Sequence, residues 1–340
     1  PPGTPASVAS RGLGDVYKRQ VRVSFCGGGT DVDEFAFAEP SGGRVTSIAM
    51  DRHVYVTLNQ RFDNSIRVSY SSMEVVDALE DVQHDLVREA MRLAGVTSGV
   101  EITTIAEIPG RGTGLGSSSS VTVGLLNALH AFTGRQASKD QLAEEACHIE
   151  IDVLGAPIGR QDQYAAAFGG ANSISFGPDG VLVEPISLSD QTIDAIGDEF
   201  TLVYTGLTRS ASRVLAEASD DSDDKLTRLR AIRTQADGAR AMLESGELTA
   251  LGALLNEAWL NKRGISPSVS NAEIDALYDR IMGLGASGAK LLGAGAGGFL
   301  LVHGHASLRD RLVQELGLAT GLLPLGIDFD GSTIIHGGGS

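Results

Sequence analysis

Residues 108–123, IPGRGTGLGSSSSVTV, constrain the fold of this chain more than any other stretch. They set a glycine- and serine-rich loop between a strand-like run at 100–105 and an amphipathic helix pattern in which Val121, Leu125, Leu129 and Phe132 recur. Gly110, Gly112, Gly114 and Gly116 let the backbone turn tightly and approach a ligand closely. Ser117, Ser118, Ser119 and Ser120 supply hydroxyls and N-cap candidates. Free N–H groups at the positive end of a helix make an anion site, and the usual biological anion there is a phosphate. A flexible serine-glycine linker would lack both flanks. No lysine follows these glycines, so the loop is not of the Walker A type. Backbone amides, the helix dipole and a metal must then hold the phosphates, and the chain is expected to bind a nucleotide.

Composition narrows the class. The chain has 340 residues, 42% of them hydrophobic, enough for a large core and two domains. A net charge of −16 argues against a sequence-independent nucleic-acid binder, which needs a basic surface. The two cysteines, Cys26 and Cys147, make neither a disulfide framework nor a zinc site and fit a reducing cytosol, so a cytoplasmic location is expected. No apolar run reaches the length of a membrane span. Residues 1–20 lack the apolar segment of a signal peptide and resemble translated adapter sequence, so they are expected to be a non-native or disordered leader.

Strands are expected at 21–25, 45–50, 53–58, 66–70, 100–105, 200–204 and 299–303, with a hairpin at 171–176 and 181–186 turning on Pro178, Asp179 and Gly180. Helices are expected at 75–94, 139–154, 161–168, 225–243, 274–284 and 307–316, and further strand-like segments at 322–329 and 333–336. Residues 220–224 read as a solvated acidic turn. Strands and helices mix without strict βαβ alternation, which defines an α+β chain. The polar stretch 185–198 suggests a boundary, giving domains at 21–190 and 191–340.

Three separated motifs occur in order: RVSFCGGGTD at 22–31, the loop at 112–120, and GAKLLGAGAGG at 288–298. Together they resemble the signature motifs of the GHMP kinases, which include galactokinase, homoserine kinase and mevalonate kinase. The resemblance covers about residues 21–336, and it is closer to the heptose 7-phosphate kinases, with L-fucose kinase domains as near neighbours. It implies a two-domain fold: an N-terminal α+β domain with a left-handed type of βαβ unit at the nucleotide loop, and a ferredoxin-like C-terminal domain. The active site lies in the cleft between them. ATP and Mg²⁺ are the implied cofactors and a small sugar phosphate the implied substrate, with no nucleic-acid or membrane partner and a homodimer left open. The implied reaction is phosphorylation of the anomeric C1 hydroxyl of D-glycero-D-manno-heptose 7-phosphate. The rivals are an L-fucose or other sugar 1-kinase and a nucleotide- or sugar-binding sensor without activity; the presence of Asp31, Glu150 and Asp162 argues against the sensor.

The resemblance also implies roles. Asp162 matches the carboxylate near the acceptor hydroxyl, though an aspartate before a small-residue helix also suits an N-cap. Arg22 matches the arginine beside that carboxylate; an ordinary strand arginine is the competing reading. Glu150 and Ser118, with Ser117 close behind Ser118, are the Mg²⁺ ligand candidates; an exposed helix charge is the competing reading of Glu150 and the one given to Asp152. Gly112, Gly114, Leu115, Gly116, Ser117, Ser118 and Ser119 would hold ATP. Gly28, Gly29, Thr30, Asp31 and Gly295 would meet the sugar, with Arg160 and Arg209 candidates for its phosphate and Lys290 a weaker charge contact. The Gly-x-Gly-x-x-Gly at 293–298 precedes a strand, so it is not a dinucleotide fingerprint. His84, His130 and His148 read as structural.

Overall fold

A computed structural model of the chain describes residues 15–108, 112–208, 223–317, 321–331 and 333–335. The first sheet contains β1 (Asp15–Cys26), β2 (Gly43–Gln60), β3 (Ile66–Ser69), β4 (Met73–Val76), β5 (Val100–Ala106), β6 (Ala171–Gly177), β7 (Gly180–Pro185) and β12 (Thr333–Ile335). Its strand order is β12-β1-β2-β5-β3-β4, with β6 on β2 and β7 on β6. The second sheet is β11 (Leu322–Pro324), β8 (Phe200–Tyr204), β10 (Phe299–His303) and β9 (Gly288–Leu291), in that order and antiparallel throughout.

The helices are α1 (Asp33–Ala36), α2 (Asp85–Ala94), α3 (Ser117–Phe132), α4 (Lys139–Cys147), α5 (Gln161–Phe168), α6 (Asp190–Glu199), α7 (Asp223–Ser245), α8 (Leu248–Arg263), α9 (Ala272–Gly283) and α10 (Leu308–Leu316). The second sheet with its helices follows a β-α-β-β-α-β order, the ferredoxin-like arrangement. None of the described helices is long and apolar enough to cross a membrane.

Strand β2 shows how the two halves meet. Its C-terminal half alternates, with Val54, Val56 and Leu58 buried and Tyr55 and Thr57 partly exposed, as a strand covered on one face should. Its N-terminal half is buried continuously from Val45 to Met50, because α7 covers the second face. Thr46 Oγ1 donates to the Ala236 carbonyl at 2.8 Å, and Arg44 pairs with Asp237 at 2.7 Å. One core runs through this seam: Val23, Phe25, Ile48 and Met50 pack with Leu202, Ala236, Leu255 and Leu301. Each buried aliphatic side chain there contributes roughly 1.5–3 kcal/mol.

Several expectations need correction. The leader expected at 1–20 is in part a strand, since β1 starts at Asp15 and pairs with β2 from Asp15–Leu58 onward. Two strands expected at 45–50 and 53–58 are one, β2, whose ladder with β1 shifts register between Ala49 and His53, so that Asp51 and Arg52 bridge the two paired halves as a bulge. The helix expected at 75–94 begins only at Asp85; the β-branched pair Val75–Val76 belongs to β4 and pairs with β3. The helix expected at 139–154 is α only to Cys147 and widens to a π-helical turn over His148–Val153. Of 322–329, only Leu322–Pro324 is strand, with a single bridge from Ile327 to Met50. The polar stretch around 190 is helix α6, capped by Ser189 accepting from the Thr192 amide. Although the second sheet opens at β8, β12 returns to the first sheet beside β1, so residues 191–340 do not stand apart. Helix α3 is less amphipathic than its spacing suggests: Val123, Leu126 and Ala128 are buried along with Leu125 and Leu129, while Phe132 is exposed. Arg209, Gly110, His336 and residues 220–222 lie outside the described residues.

Candidate active site

The glycine-serine loop leads from β5 into α3 as expected, but its cap is a glycine. Gly116 takes the N-cap position in the left-handed region (φ 74°) with no side chain capping the helix. Gly112 and Gly114 are also left-handed, at φ 71° and 74°. The serines do other work. Ser120 Oγ donates to the Gln20 carbonyl at 2.7 Å, Ser117 Oγ bonds Thr113 Oγ1 at 3.2 Å, and Ser119 Oγ donates to Glu150 Oε2 at 2.7 Å. Ser118 is the exposed member of the four. The first-turn amides of α3 therefore carry the positive end of the helix dipole without a side-chain cap. Leu115 is buried with its side chain in the core, so only its backbone can face a ligand.

Arg22 on β1 reaches this loop from below. Its backbone N–H donates to the Leu115 carbonyl at 2.9 Å and its Nη1 to the Gly114 carbonyl at 2.5 Å. Its Nε and Nη2 both contact Asp162 Oδ1, at 2.7 and 2.6 Å. Asp162 Oδ2 lies beside Gly116, 3.2 Å from where a Cβ on that glycine would stand. The guanidinium is thus buried and fully oriented, which excludes the reading of Arg22 as an ordinary strand arginine. Asp162 sits in the first turn of α5, whose N-cap is Arg160, so it is not the helix cap.

Glu150 is buried in the π-helical turn, 2% exposed. Such turns widen a helix by one residue and redirect a side chain. Its carboxylate accepts from Ser118 Oγ at 3.2 Å, Ser119 Oγ at 2.7 Å, Thr122 Oγ1 at 2.9 Å and Gln163 Nε2. Burial pushes its pKa up, while the bonds from Ser119, Thr122 and Gln163 pull it back. Asp152, by contrast, pairs on the surface with His148 at 2.9 Å, as an exposed charge should.

The 27–31 turn differs from expectation. Asp31 is buried and accepts from the Gly29 amide at 2.9 Å, the Gln161 amide at 3.1 Å and Gln161 Nε2 at 3.0 Å. Burial raises its pKa, with the Gln161 and Gly29 amides opposing. It fastens the turn to the start of α5 instead of standing open to a sugar. Thr30 is also buried, its Oγ1 donating to the Gly27 and Arg44 carbonyls, so it shapes the turn. Gly28 and Gly29 remain partly exposed and offer backbone to a ligand. Gly295 is buried: a Cβ there would lie 2.5 Å from the Val269 carbonyl oxygen, so it serves packing and not sugar contact. Arg160 is taken by Asp33 through two bonds of 2.7 and 2.6 Å and lies over Phe37, which leaves it a poor anchor for a phosphate. Lys290 is buried, donating to the Ser24 and Phe25 carbonyls at 2.9 and 2.6 Å. His130 pairs with Glu145 at 2.6 Å and His84 packs edge-on against Tyr70, both structural.

Sequence reasoning missed Thr122, Gln161, Gln163, Asp33 and Lys262. Gln161 and Gln163 flank Asp162, and a polar triplet opening a run of small residues is the signal that would have found them.

The GHMP kinases N terminal domain matches residues 75–170 and the GHMP kinases C terminal domain matches 239–317. The chain belongs to the GHMP kinase family, enzymes that transfer a phosphoryl group to a hydroxyl, with ATP as donor. It is 27% identical over 314 residues to D-glycero-alpha-D-manno-heptose 7-phosphate kinase of Campylobacter jejuni, covering 87% of this chain and 91% of that one. It is 27% identical over 335 residues to L-fucokinase/L-fucose-1-P guanylyltransferase of Bacteroides fragilis, covering 84% of this chain and 35% of that protein. The crystal structure of a D-glycero-D-manno-heptose 1-phosphate kinase from Bacteriodes thetaiotaomicron superposes with a TM-score of 0.76 at 23% identity, covering 94% of this chain and 98% of that one.

Proposed function

We propose that this chain is an ATP- and Mg²⁺-dependent cytoplasmic sugar kinase that phosphorylates the anomeric C1 hydroxyl of D-glycero-D-manno-heptose 7-phosphate, giving the 1,7-bisphosphate and ADP. The observation that carries the kinase reading is the meeting of Asp162, Arg22 and Gly116 at the N-terminus of α3. A proton acceptor, a cation and a phosphate cradle in one place are what phosphoryl transfer needs. The heptose follows the activity named for the Campylobacter jejuni relative.

In this reading the α3 amides and the loop glycines hold the phosphates. Asp162 Oδ2 accepts the proton as the acceptor O–H breaks and the oxygen attacks phosphorus. Arg22 fixes the Asp162 carboxylate in place through Oδ1 and supplies positive charge at the loop. Mg²⁺ fits the donors present: Glu150 Oε1 and Ser118 Oγ are hard oxygens 3.2 Å apart, at the mouth of a phosphate cradle. When bound, it offsets the charge of the phosphate oxygens. No cluster of three or more His, Cys, Asp or Glu side chains competes for the ion among the described residues.

Asp162→Asn should lower kcat by roughly 10²–10⁴ while ATP affinity holds. ADP release and nucleotide titration check it, and near-wild-type turnover would remove Asp162 from the chemistry. Coupled ADP release over a sugar panel, with the phosphorylated carbon located by NMR, tests the substrate. Turnover with L-fucose and none with the heptose phosphate would favour the fucose 1-kinase reading. ATP binding with no turnover on any sugar would favour the sensor.

A further inference from the structure

Lys262 closes the last turn of α8 and is buried, where a lysine usually extends its ammonium group to water. Its Nζ donates to the Gly293 carbonyl and, at 3.3 Å, to the Leu291 carbonyl. Gly293 stands in the left-handed region at φ 67°, back to back with the phosphate loop: a Cβ on it would come within 2.3 Å of Gly114 Cα. The Gly114 carbonyl in turn receives Arg22, and Arg22 holds Asp162. One unbroken line of contacts runs from Lys262 through Gly293, Gly114 and Arg22 to Asp162. Every link is a charged hydrogen bond or backbone against backbone, so little slack separates its ends.

The charge at this position is costly. Burying an ammonium group is unfavourable unless it is well compensated, and two neutral carbonyls compensate only in part. Burial pushes the Lys262 pKa well down; Lys290 and Arg22 press it the same way, and Asp31 opposes. Methionine would fill the same space without that cost, which points to a use for the charge. The anion that approaches this cation-rich seam in the proposed reaction is the nucleotide's phosphate chain.

We propose that Lys262 is a positioning residue for phosphoryl transfer: it clamps the third glycine loop against the phosphate loop, and its charge is neutralised by the bound nucleotide's phosphates. The proposal rests on the kinase reading above. Its test compares Lys262→Met, which removes donor and charge, with Lys262→Gln, which keeps a donor. ATP and adenosine affinities are measured by competition with a fluorescent nucleotide, alongside kcat, KM and thermal midpoint.

Lys262→Met should weaken ATP binding about tenfold, with adenosine affinity unchanged, and should lower kcat by at least about tenfold. Lys262→Gln should recover part of kcat while its ATP affinity stays low. Wild-type ATP affinity and kcat in folded Lys262→Met would overturn the proposal. Equal loss of ATP and adenosine binding would also overturn it, since that marks a merely structural role. If Lys262→Met does not fold, the ATP-to-adenosine ratio of Lys262→Gln decides. Should the wild type bind ATP yet phosphorylate no sugar, the kinase reading fails, while that ratio still decides the role of Lys262.

Discussion

The two glycine-rich loops of this protein look alike in sequence, yet the glycine that opens α3 and the glycines at 293–298 do different physical jobs. In the loop before α3, Gly116 caps a helix and faces functional side chains: a Cβ there would meet Asp162 at 3.2 Å and Arg22 at 3.4 Å. In the loop at 293–298, added Cβ atoms would meet backbone at 2.3 Å from Gly293 to Gly114, 2.5 Å from Gly295 to Val269, and 2.3 Å from Gly298 to Thr113. Gly116 leaves open space beside Asp162 and Arg22, whereas Gly114 in the same loop joins the second loop's glycines in bringing chain against chain: a Cβ on it would lie 2.5 Å from the Leu292 carbonyl oxygen. Each loop is backed by a buried charge of opposite sign, Glu150 behind the first and Lys262 behind the second. Glycine count alone does not mark a binding loop; what an added methyl group would touch does.

Substitutions can break this comparison. The largest effect is expected for Gly293→Ala, which forces a Cβ into the phosphate-loop backbone at a positive φ and should cost about 3 kcal/mol or more. Stability and activity should fall together, read by chemical denaturation and ADP release. Gly116→Ala meets only side-chain atoms, at 3.2–3.4 Å, beside its φ of 74°, so strain of about 1–2 kcal/mol is expected. Its kcat should fall at least about tenfold, because the methyl group crowds Asp162 and the phosphate position. A stability loss as large as that of Gly293→Ala would show that the two glycines do the same job.

Glu150→Gln should raise the Mg²⁺ concentration for half-maximal rate by about tenfold or more, since an amide is a weaker ligand than a carboxylate. A Mg²⁺ titration unchanged by the substitution would take Glu150 out of metal binding.

The smallest effects are in pH dependence, and the two buried charges have opposite signs. Glu150 has its pKa raised by burial, so its contribution to stability is complete below the unfolded value near 4.5 and is lost as pH rises through the folded one. Lys290, beside Lys262 at the seam, is lowered by burial to about 8. Its unfolded form binds more protons between about 8 and 10.5, so stability rises with pH there. Urea midpoints against pH should flatten in the acid window for Glu150→Gln and in the alkaline window for Lys290→Met. Parallel curves for wild type and variant would contradict the assignment.

Much of this was legible in one dimension. Helical spacing located α3, α4 and α7, the Pro178-Asp179-Gly180 turn located the β6–β7 hairpin, and the glycine-serine run marked the loop that opens α3, because these depend on neighbours a few residues apart. Asp162, Arg22, Glu150 and Ser118 were named from their motifs, and the fold brings Asp162 to Arg22 and Ser118 to Glu150. The helix at Leu248–Arg263 went unseen although its buried residues Leu248, Leu251, Leu255, Ala258 and Trp259 recur at helical spacing; apolar Ala253 and Leu260 on its exposed face blur the pattern in sequence. Asp31 and Arg160 were misread because a motif names a charge and not its partner. Gln161 closes off the first and Asp33 the second, 130 and 127 residues away in sequence.

The sequence by itself determined the local chemistry: which backbone can turn left-handed, which helix end is positive, and which carboxylates and cations are available. Only the tertiary structure decided which of those charges are spent on the protein and which face a ligand. Arg22 is aimed by the Gly114 carbonyl, Glu150 is enclosed by a helix 28 residues upstream and by Gln163, and Lys262 reaches Gly293 across the second sheet's edge. Burial and pairing are properties of three-dimensional neighbours, and a charge's cost or use follows from them rather than from its place in the chain.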